Sequence, residues 1–453
     1  MTEGGLYMET TKELKRLMWI VAVFAAVFFL PLESRRFMVA AGAMFDLARW
    51  YTREHVVLCL LPAFFIAGVI AVFISQGAVM RYFGAGAKKW LAYTVAAISG
   101  GVLSVCSCTI LPLFTGIYRR GAGLGPAVAF LYSGPSVSIL SVILTMRILG
   151  IELGMARMAG AVAFSVIIGL GMSFIFRGEE KAKREEQMNI VPPEGKRPMW
   201  QTAVFFFTLV LILIFANWGA PAAGDNGLWS RIFAYKWHIT ASLSLVMCLM
   251  LVKVLRLSGL WVAAGAMATA LSAVLAGMFV ADSRLVPLVP VITAVSALSV
   301  ILLYDRRDDE NREWALASWG FARQIMPLLA VGVLTAGFLL GSMHDGTAIA
   351  GVIPDGWIAR AVGGNSLLSN FIASFAGAFM YFATLTEVPI IQGLLASGMG
   401  KGPALALLLA GPSLSLPNIL VIRSVMGTAK TAVYVTLVVV MATVSGFVFG
   451  MTC

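Results

Sequence analysis

Charge is scarce in this chain. Asp, Glu, Lys and Arg together make up 12% of 453 residues, about half the share carried by a soluble domain. Histidine is nearly missing, with three copies, His55, His238 and His344. No Cys pair stands near a His cluster, which excludes a zinc-finger arrangement. Five cysteines, three of them scattered singly as Cys59, Cys248 and Cys453, do not make a disulfide framework. A Walker sequence is absent, so the chain has no nucleotide-driven motor of that kind. Ten-residue segments of alternating polarity, the mark of a membrane β-barrel, are also absent. No stretch combines enough length and polarity for a soluble domain; the two large polar loops are too short and too charged to bury a core.

What the chain has is apolar length. Sixty per cent of its residues are apolar, gathered in runs long enough to cross about 30 Å of hydrocarbon. Spans read near 17–32, 56–76, 90–114, 125–146, 158–176, 199–218, 238–252, 258–281, 285–304, 324–343, 366–386, 402–422 and 431–451. Unpaired backbone groups are not tolerated in lipid, so these runs are helices and the fold class is all-α, a polytopic helical membrane protein. The net charge of +11 sits in the connections, where it sets topology and meets anionic lipid, and so does not indicate a nucleic-acid partner. The loop at 177–198 carries Arg177, Lys181, Lys183, Arg184, Lys196 and Arg197; that at 305–323 carries Arg306, Arg307, Arg312 and Arg323. Both are expected on the cytoplasmic side of the cytoplasmic membrane. The division expected is an uncleaved N-terminal span with an interfacial helix at 37–50 (residues 1–55), a first module at 56–176, a middle four-span block at 199–304 and a second module at 324–453.

The modules are joined by a repeat. Residues 112–136 read PLFTGIYRRGAGLGPAVAFLYSGPS, and residues 389–413 read PIIQGLLASGMGKGPALALLLAGPS. Twelve of the 25 positions are identical, against roughly two or three from composition alone. The identities are chiefly helix breakers: Pro112/Pro389, Gly116/Gly393, Gly121/Gly398, Gly123/Gly400, Gly125/Gly402, Pro126/Pro403 and Gly134-Pro135-Ser136/Gly411-Pro412-Ser413. Each module is therefore expected to contain a helix broken inside the membrane, with the freed backbone groups met by hydroxyls or water. Ser133, Ser136 and Ser138 flank the first break; Ser413, Ser415 and Asn418 flank the second. Two pseudo-symmetric modules with matched breaks are the pattern of a transporter whose site lies between repeats. Counting every run as a crossing favours parallel repeats; one re-entrant run reverses that.

Two features carry chemistry. Cys106-Ser107-Cys108-Thr109 precedes Pro112. On a regular helix the two thiols diverge, whereas on an unwound segment they face the same way. Thiolates suit soft metal or metalloid centres; two buried cysteines without a ligand are the alternative. At the same offset in the second module, Ala383 and Leu385 replace the thiols, Thr386 matches Thr109, and Glu387 replaces Ile110. A carboxyl in an otherwise uncharged membrane run is a candidate for proton coupling or substrate contact, or else pairs with a neighbouring cation.

The run from Ser104 to Ser136 closely resembles the signature of the predicted permease family that includes the methylarsenite and organoarsenical efflux permeases (ArsP-like). Members carry a Cys-Ser-Cys before a Pro, a basic pair, a Gly-rich crossing and a small-Pro-small break. These stand here as Cys106, Ser107, Cys108, Pro112, Arg119, Arg120, Gly121, Gly123 and Gly134-Pro135-Ser136. Thr109 departs from the glycine that often follows the second Cys. The resemblance implies a secondary transporter, not an enzyme, moving a soft solute such as a trivalent organoarsenical without a bound cofactor. Its expected substrate contacts are Cys106, Cys108, Thr109, Pro112, Ser133, Gly134, Pro135, Ser136, Thr386, Glu387, Gly411, Pro412, Ser413 and Asn418, with Cys106 and Cys108 as the metal or metalloid ligands. A membrane dithiol redox protein, a scaffold, and a permease for an unrelated solute are the alternatives.

Overall fold

The structure is a computed structural model that describes residues 31–74, 84, 88–103, 107–137, 139–188, 198–219, 227–282, 285–304, 309–344, 347–353, 361–380, 387–396 and 398–452, with isolated positions before residue 31. Six of the described helices are long and apolar enough to cross a membrane. The described strands are one short hairpin, Ser342–His344 (β1) paired antiparallel with Thr347–Ile349 (β2).

The expected span at 17–32 falls mostly outside the described residues; the first continuously described helix has 38 residues, α1 (Arg35–Val72), and its Thr52–Leu60 stretch is π-helical. A separate interfacial helix at 37–50 followed by a span from 56 was expected; instead the two are continuous. The reason lies in Ala40, Ala43, Leu47 and Tyr51, which fall on one helical face and bury it. That face packs along α12 (Asp309–Leu340), and Ser342 donates to Asp46 at 2.8 Å.

The run expected as a single span at 90–114 is two helices, and in the run expected at 366–386 the helix ends at Phe379, with a second helix from Glu387. α2 (Lys89–Leu103) is followed by α3 (Ser107–Arg119). The chain entering α2 and the chain leaving α3 lie side by side, bridged at Gly84 and Ala122. A straight helix of that length would put these points more than about 45 Å apart, so α2 and α3 enter and leave at the same end as a hairpin. The second pair repeats this geometry: α13 (Leu367–Phe379) and α14 (Glu387–Ala396) are closed by a bridge between Gly363 and Met399. At both closures a glycine stands at φ 99°, Gly121 and Gly398, where a side chain would be strained.

After each hairpin comes a broken helix. α4 (Leu124–Ser136) and α5 (Ile139–Ile148) run antiparallel to the straight α6 (Ile151–Ile175). α15 (Lys401–Ala410) and α16 (Leu416–Met426) precede the straight α17 (Thr428–Thr452). Every residue of α4 is buried, as are residues 402–410 of α15. Close glycine contacts bind broken to straight helices: a Cβ on Gly169 would meet the Gly125 carbonyl at 2.7 Å, and one on Gly446 the Gly402 carbonyl at 2.6 Å.

Contacts at the two ends of the bundle fix where each hairpin enters. At one end, Leu124 N donates to Glu180 of α7 (Arg177–Met188) at 2.7 Å, Glu179 pairs with Lys430, and Arg119 bonds Gln324, which bonds Ser424. At the other end, Lys401 reaches Glu152 at 3.2 Å. The first hairpin opens at the end holding Glu180, the second at the end holding Glu152. The remaining helices, α8 (Met199–Ala216), α9 (Leu228–Lys253), α10 (Gly259–Phe279) and α11 (Leu288–Tyr304), form a smaller cluster around Trp314 and Phe65. Few residues of α9 and α10 are buried, so this block lies beside the main core rather than in it.

Candidate functional site

The candidate site residues gather where the broken ends meet. Pro135 removes one helical hydrogen bond from the end of α4, and the chain turns to α5. Ser133 donates to the Ala96 and Phe130 carbonyls, both at 3.2 Å. A Cβ on Gly134 would meet Ile110 Cδ1 at 2.6 Å, which brings the start of α3 against the break. In the second break, Gly411, Pro412 and Ser413 form the turn between α15 and α16, and Ser415 caps α16 through Asn418 N at 3.4 Å. The two breaks touch. Ser136 and Ser413 share a hydrogen bond between their hydroxyls, Tyr132 Oη donates to the Leu409 carbonyl at 3.0 Å, and Ser413 Oγ donates to the Tyr132 carbonyl at 3.4 Å.

Glu387 is the first residue of α14 and has no exposed surface. Its Oε1 accepts from Ser141 Oγ of α5 at 2.7 Å and forms an ion pair with Arg157 Nη2 of α6. Arg157, also fully buried, donates from Nη1 to Thr145 at 2.9 Å. Tyr132 lies within electrostatic range of Arg157. The pair is incompletely satisfied: Arg157 Nε and Glu387 Oε2 have no hydrogen-bond partner among the described residues, and Asn418 Oδ1 and the Tyr434 hydroxyl share that condition. Buried charges left partly unpaired are rare and call for an explanation.

A family model described as a predicted permease matches residues 43–451. The chain belongs to this ArsP-like permease family. A relative from Methanocaldococcus jannaschii, UPF0718 protein MJ0584, is 40% identical over 400 residues, covering 88% of the permease and 93% of its own length. UPF0718 protein YraQ of Escherichia coli is 31% identical over 137 residues, 30% of this chain and 35% of its own. UPF0718 protein YcgR of Bacillus subtilis is 26% identical over 129 residues, 28% of this chain and 43% of its own. No solved structure matches.

The permease brings Ser133, Gly134, Pro135, Ser136, Gly411, Pro412, Ser413 and Asn418 to the two facing breaks, with Thr109 buried and Pro112 inside α3. Cys106 and Thr386 fall outside the described residues; Cys108 belongs to α3, of which the backbone alone is described there. Among the described residues no three His, Cys, Asp or Glu gather around a possible metal position. Arg157 and Ser141 were not singled out from the sequence. The expected span began at 158, which put Arg157 just outside it; the helix begins at Ile151. A lone arginine one turn and a half inside a helix of otherwise membrane character was the available signal.

Proposed function

We propose that the permease is a proton-coupled secondary transporter of the cytoplasmic membrane that moves a soft, thiophilic solute such as a trivalent organoarsenical. The observation that carries this reading is Glu387, a carboxyl with no exposed surface held by Arg157 and Ser141 of the other module. Ionising such a pair away from water is costly, and a protein retains it where the charge has work to do. A carboxyl can take a proton and lose its claim on the arginine; an arginine cannot. Proton uptake by Glu387 would loosen the contact between modules, and proton loss would restore it.

The hairpins entering from opposite ends support an inverted pair of modules, each a hairpin, a broken helix and a straight helix, preceded by α1 or α12. Seven crossings from α4–α5 to α12 separate the hairpins, an odd number, in place of the even count that favours parallel repeats. With the basic loops on the cytoplasmic side, the first hairpin opens to the cytoplasm and the second to the outside. Alternating access then follows from rocking one module against the other about the Ser136–Ser413 contact. In this reading Cys106 and Cys108 supply sulfur to the solute from the first hairpin, and Thr386 and Glu387 face it from the second.

Everted membrane vesicles test this reading. Uptake of trivalent methylarsenical is compared with arsenite, Cu(I) and an unrelated solute in wild type, C106S/C108S and E387Q. The expected result is loss of uptake of the soft solute in the double variant and loss of dependence on the pH gradient in E387Q. Unchanged uptake of every soft solute in C106S/C108S removes the thiols from the mechanism, and normal gradient dependence in E387Q removes the coupling role.

A further inference from the structure

We infer that Arg157 is an anion-binding residue, and that the solute carries an ionised oxygen group which takes the arginine when Glu387 is protonated. The inference deepens the proposed function and rests on its reading of Glu387 as the protonatable group. The argument is one of charge sign. Arg157 and Glu387 are both wholly buried and meet through Nη2 and Oε1 alone, leaving Nε and Oε2 without partners. A guanidinium presents its Nε and one Nη as a fork that fits two oxygens of a single anion; here that fork is half used. When Glu387 takes a proton, Arg157 keeps its charge and becomes a buried cation with no counter-charge among the described residues: Thr145 and Ser141, bonded to the pair, are neutral, and so is the phenol of Tyr132, the titratable group of α4 in electrostatic range of Arg157. A buried unpaired cation is strongly unfavourable, and an anion is the species that relieves it.

A cation-binding site at Glu387 fits less well. A cation at Oε2 would stand beside a permanent guanidinium, leaving one carboxylate to balance two positive charges. Proton and anion instead enter as a neutral pair, and the anion leaves when Glu387 ionises and reclaims Arg157. Among soft solutes this selects the anionic ones that present two oxygens to Arg157, rather than an uncharged trivalent methylarsenical; thiosulfate has both features and serves as a probe.

The test uses purified full-length protein in phosphatidylcholine nanodiscs, with no anionic lipid to compete. Binding of thiosulfate, sulfate and acetate is measured by calorimetry at pH 5.5 and pH 8, with tetramethylammonium as the cation control. Wild type is expected to bind at least one of the anions about tenfold more tightly at the lower pH, as one titrating carboxyl allows. E387Q, neutral at both pH values, is expected to bind it tightly at both. R157K is expected to weaken binding about tenfold, and R157Q to weaken it about ten- to hundredfold, the range for losing a hydrogen bond to a charged group. Because R157Q leaves Glu387 uncompensated, R157Q/E387Q provides the folded control; it should unfold at or above the temperature of E387Q, which keeps a buried cation without its partner, yet bind no anion. The inference is overturned if no anion binds wild type at either pH, if tetramethylammonium binds instead, or if R157Q/E387Q binds like E387Q. Arg157-dependent anion binding alongside gradient-independent transport would sink the proton-coupling reading and leave this site standing.

Discussion

Ser136 and Ser413 are hydrogen-bonded to one another across 277 residues of sequence, and that separation is also the offset of the repeat. Each serine therefore touches the residue aligned with it in the sequence, the contact that the proposed inverted pair of modules would make at its axis. Cysteines at both positions are expected to crosslink. With the natural cysteines replaced and a protease site placed in the loop between α7 and α8, mild oxidation of S136C/S413C should keep the two halves joined on a non-reducing gel, and reduction should release them. Separation of the halves under oxidising conditions would contradict the contact.

The Arg157–Glu387 pair is the costliest place to remove one charge. Arg157→Gln leaves a buried carboxylate without its partner and is expected to destabilise by about 3–5 kcal/mol, whereas removing both charges costs much less. Thermal unfolding of R157Q, E387Q and R157Q/E387Q in detergent checks this. The double variant should be more stable than R157Q, with a coupling energy above about 1 kcal/mol. Additive effects would mean the two side chains do not share a buried contact.

Sequence reading located the breaks because they are written in glycine and proline, residues whose backbone limits hold whatever the environment. Glu387 was legible for a related reason, as a charge in an uncharged run. The hairpins were not. A run such as 90–114 has the length and apolarity of a crossing whether it continues or turns back, and hydropathy measures only those two quantities. What distinguishes the cases is the pairing of Gly84 with Ala122, a long-range contact. The same limit hid Arg157: its importance comes from a carboxylate 230 residues away, and nothing local to α6 names that partner. The continuous α1 was missed because the charges at Asp46 and Arg49 suggested a surface helix, while the buried face at Ala40, Ala43, Leu47 and Tyr51 shows as helical spacing, which a hydropathy sum does not register.

Gly398 separates backbone strain from crowding. Its φ is +99°, yet a Cβ there would meet nothing within 4 Å. Gly398→Ala should therefore cost about 1–3 kcal/mol through conformation alone. Gly446 is the converse: its backbone is ordinary helix, but a Cβ would lie 2.6 Å from the Gly402 carbonyl, so Gly446→Ala must push α17 off α15. Both variants should lower the unfolding temperature. A Cβ on Gly446 would also crowd Asn370 Oδ1, so a suppressor that shortens that side chain, Asn370→Ala, should partly help Gly446→Ala and leave Gly398→Ala unchanged. Equal rescue of both would show that crowding governs the two sites alike.

The opposite entry of the hairpins can be read from outside the protein. Glu152 and Lys401 are 70% and 52% exposed and lie at one end of the bundle; Glu179 is 61% exposed and lies at the other. Their ion pairs are surface contacts worth little stability, so single cysteines at these positions should leave the fold intact. In a background without natural cysteines, a membrane-impermeant maleimide added to intact spheroplasts should label Glu152→Cys and Lys401→Cys but spare Glu179→Cys, and everted vesicles should reverse the pattern. The logic turns on sidedness alone, so it holds whatever the solute. If Lys401→Cys labelled together with Glu179→Cys from a single side, α15 would have to begin where α4 begins, both hairpins would open to the same face, and an inverted arrangement of the modules would be impossible.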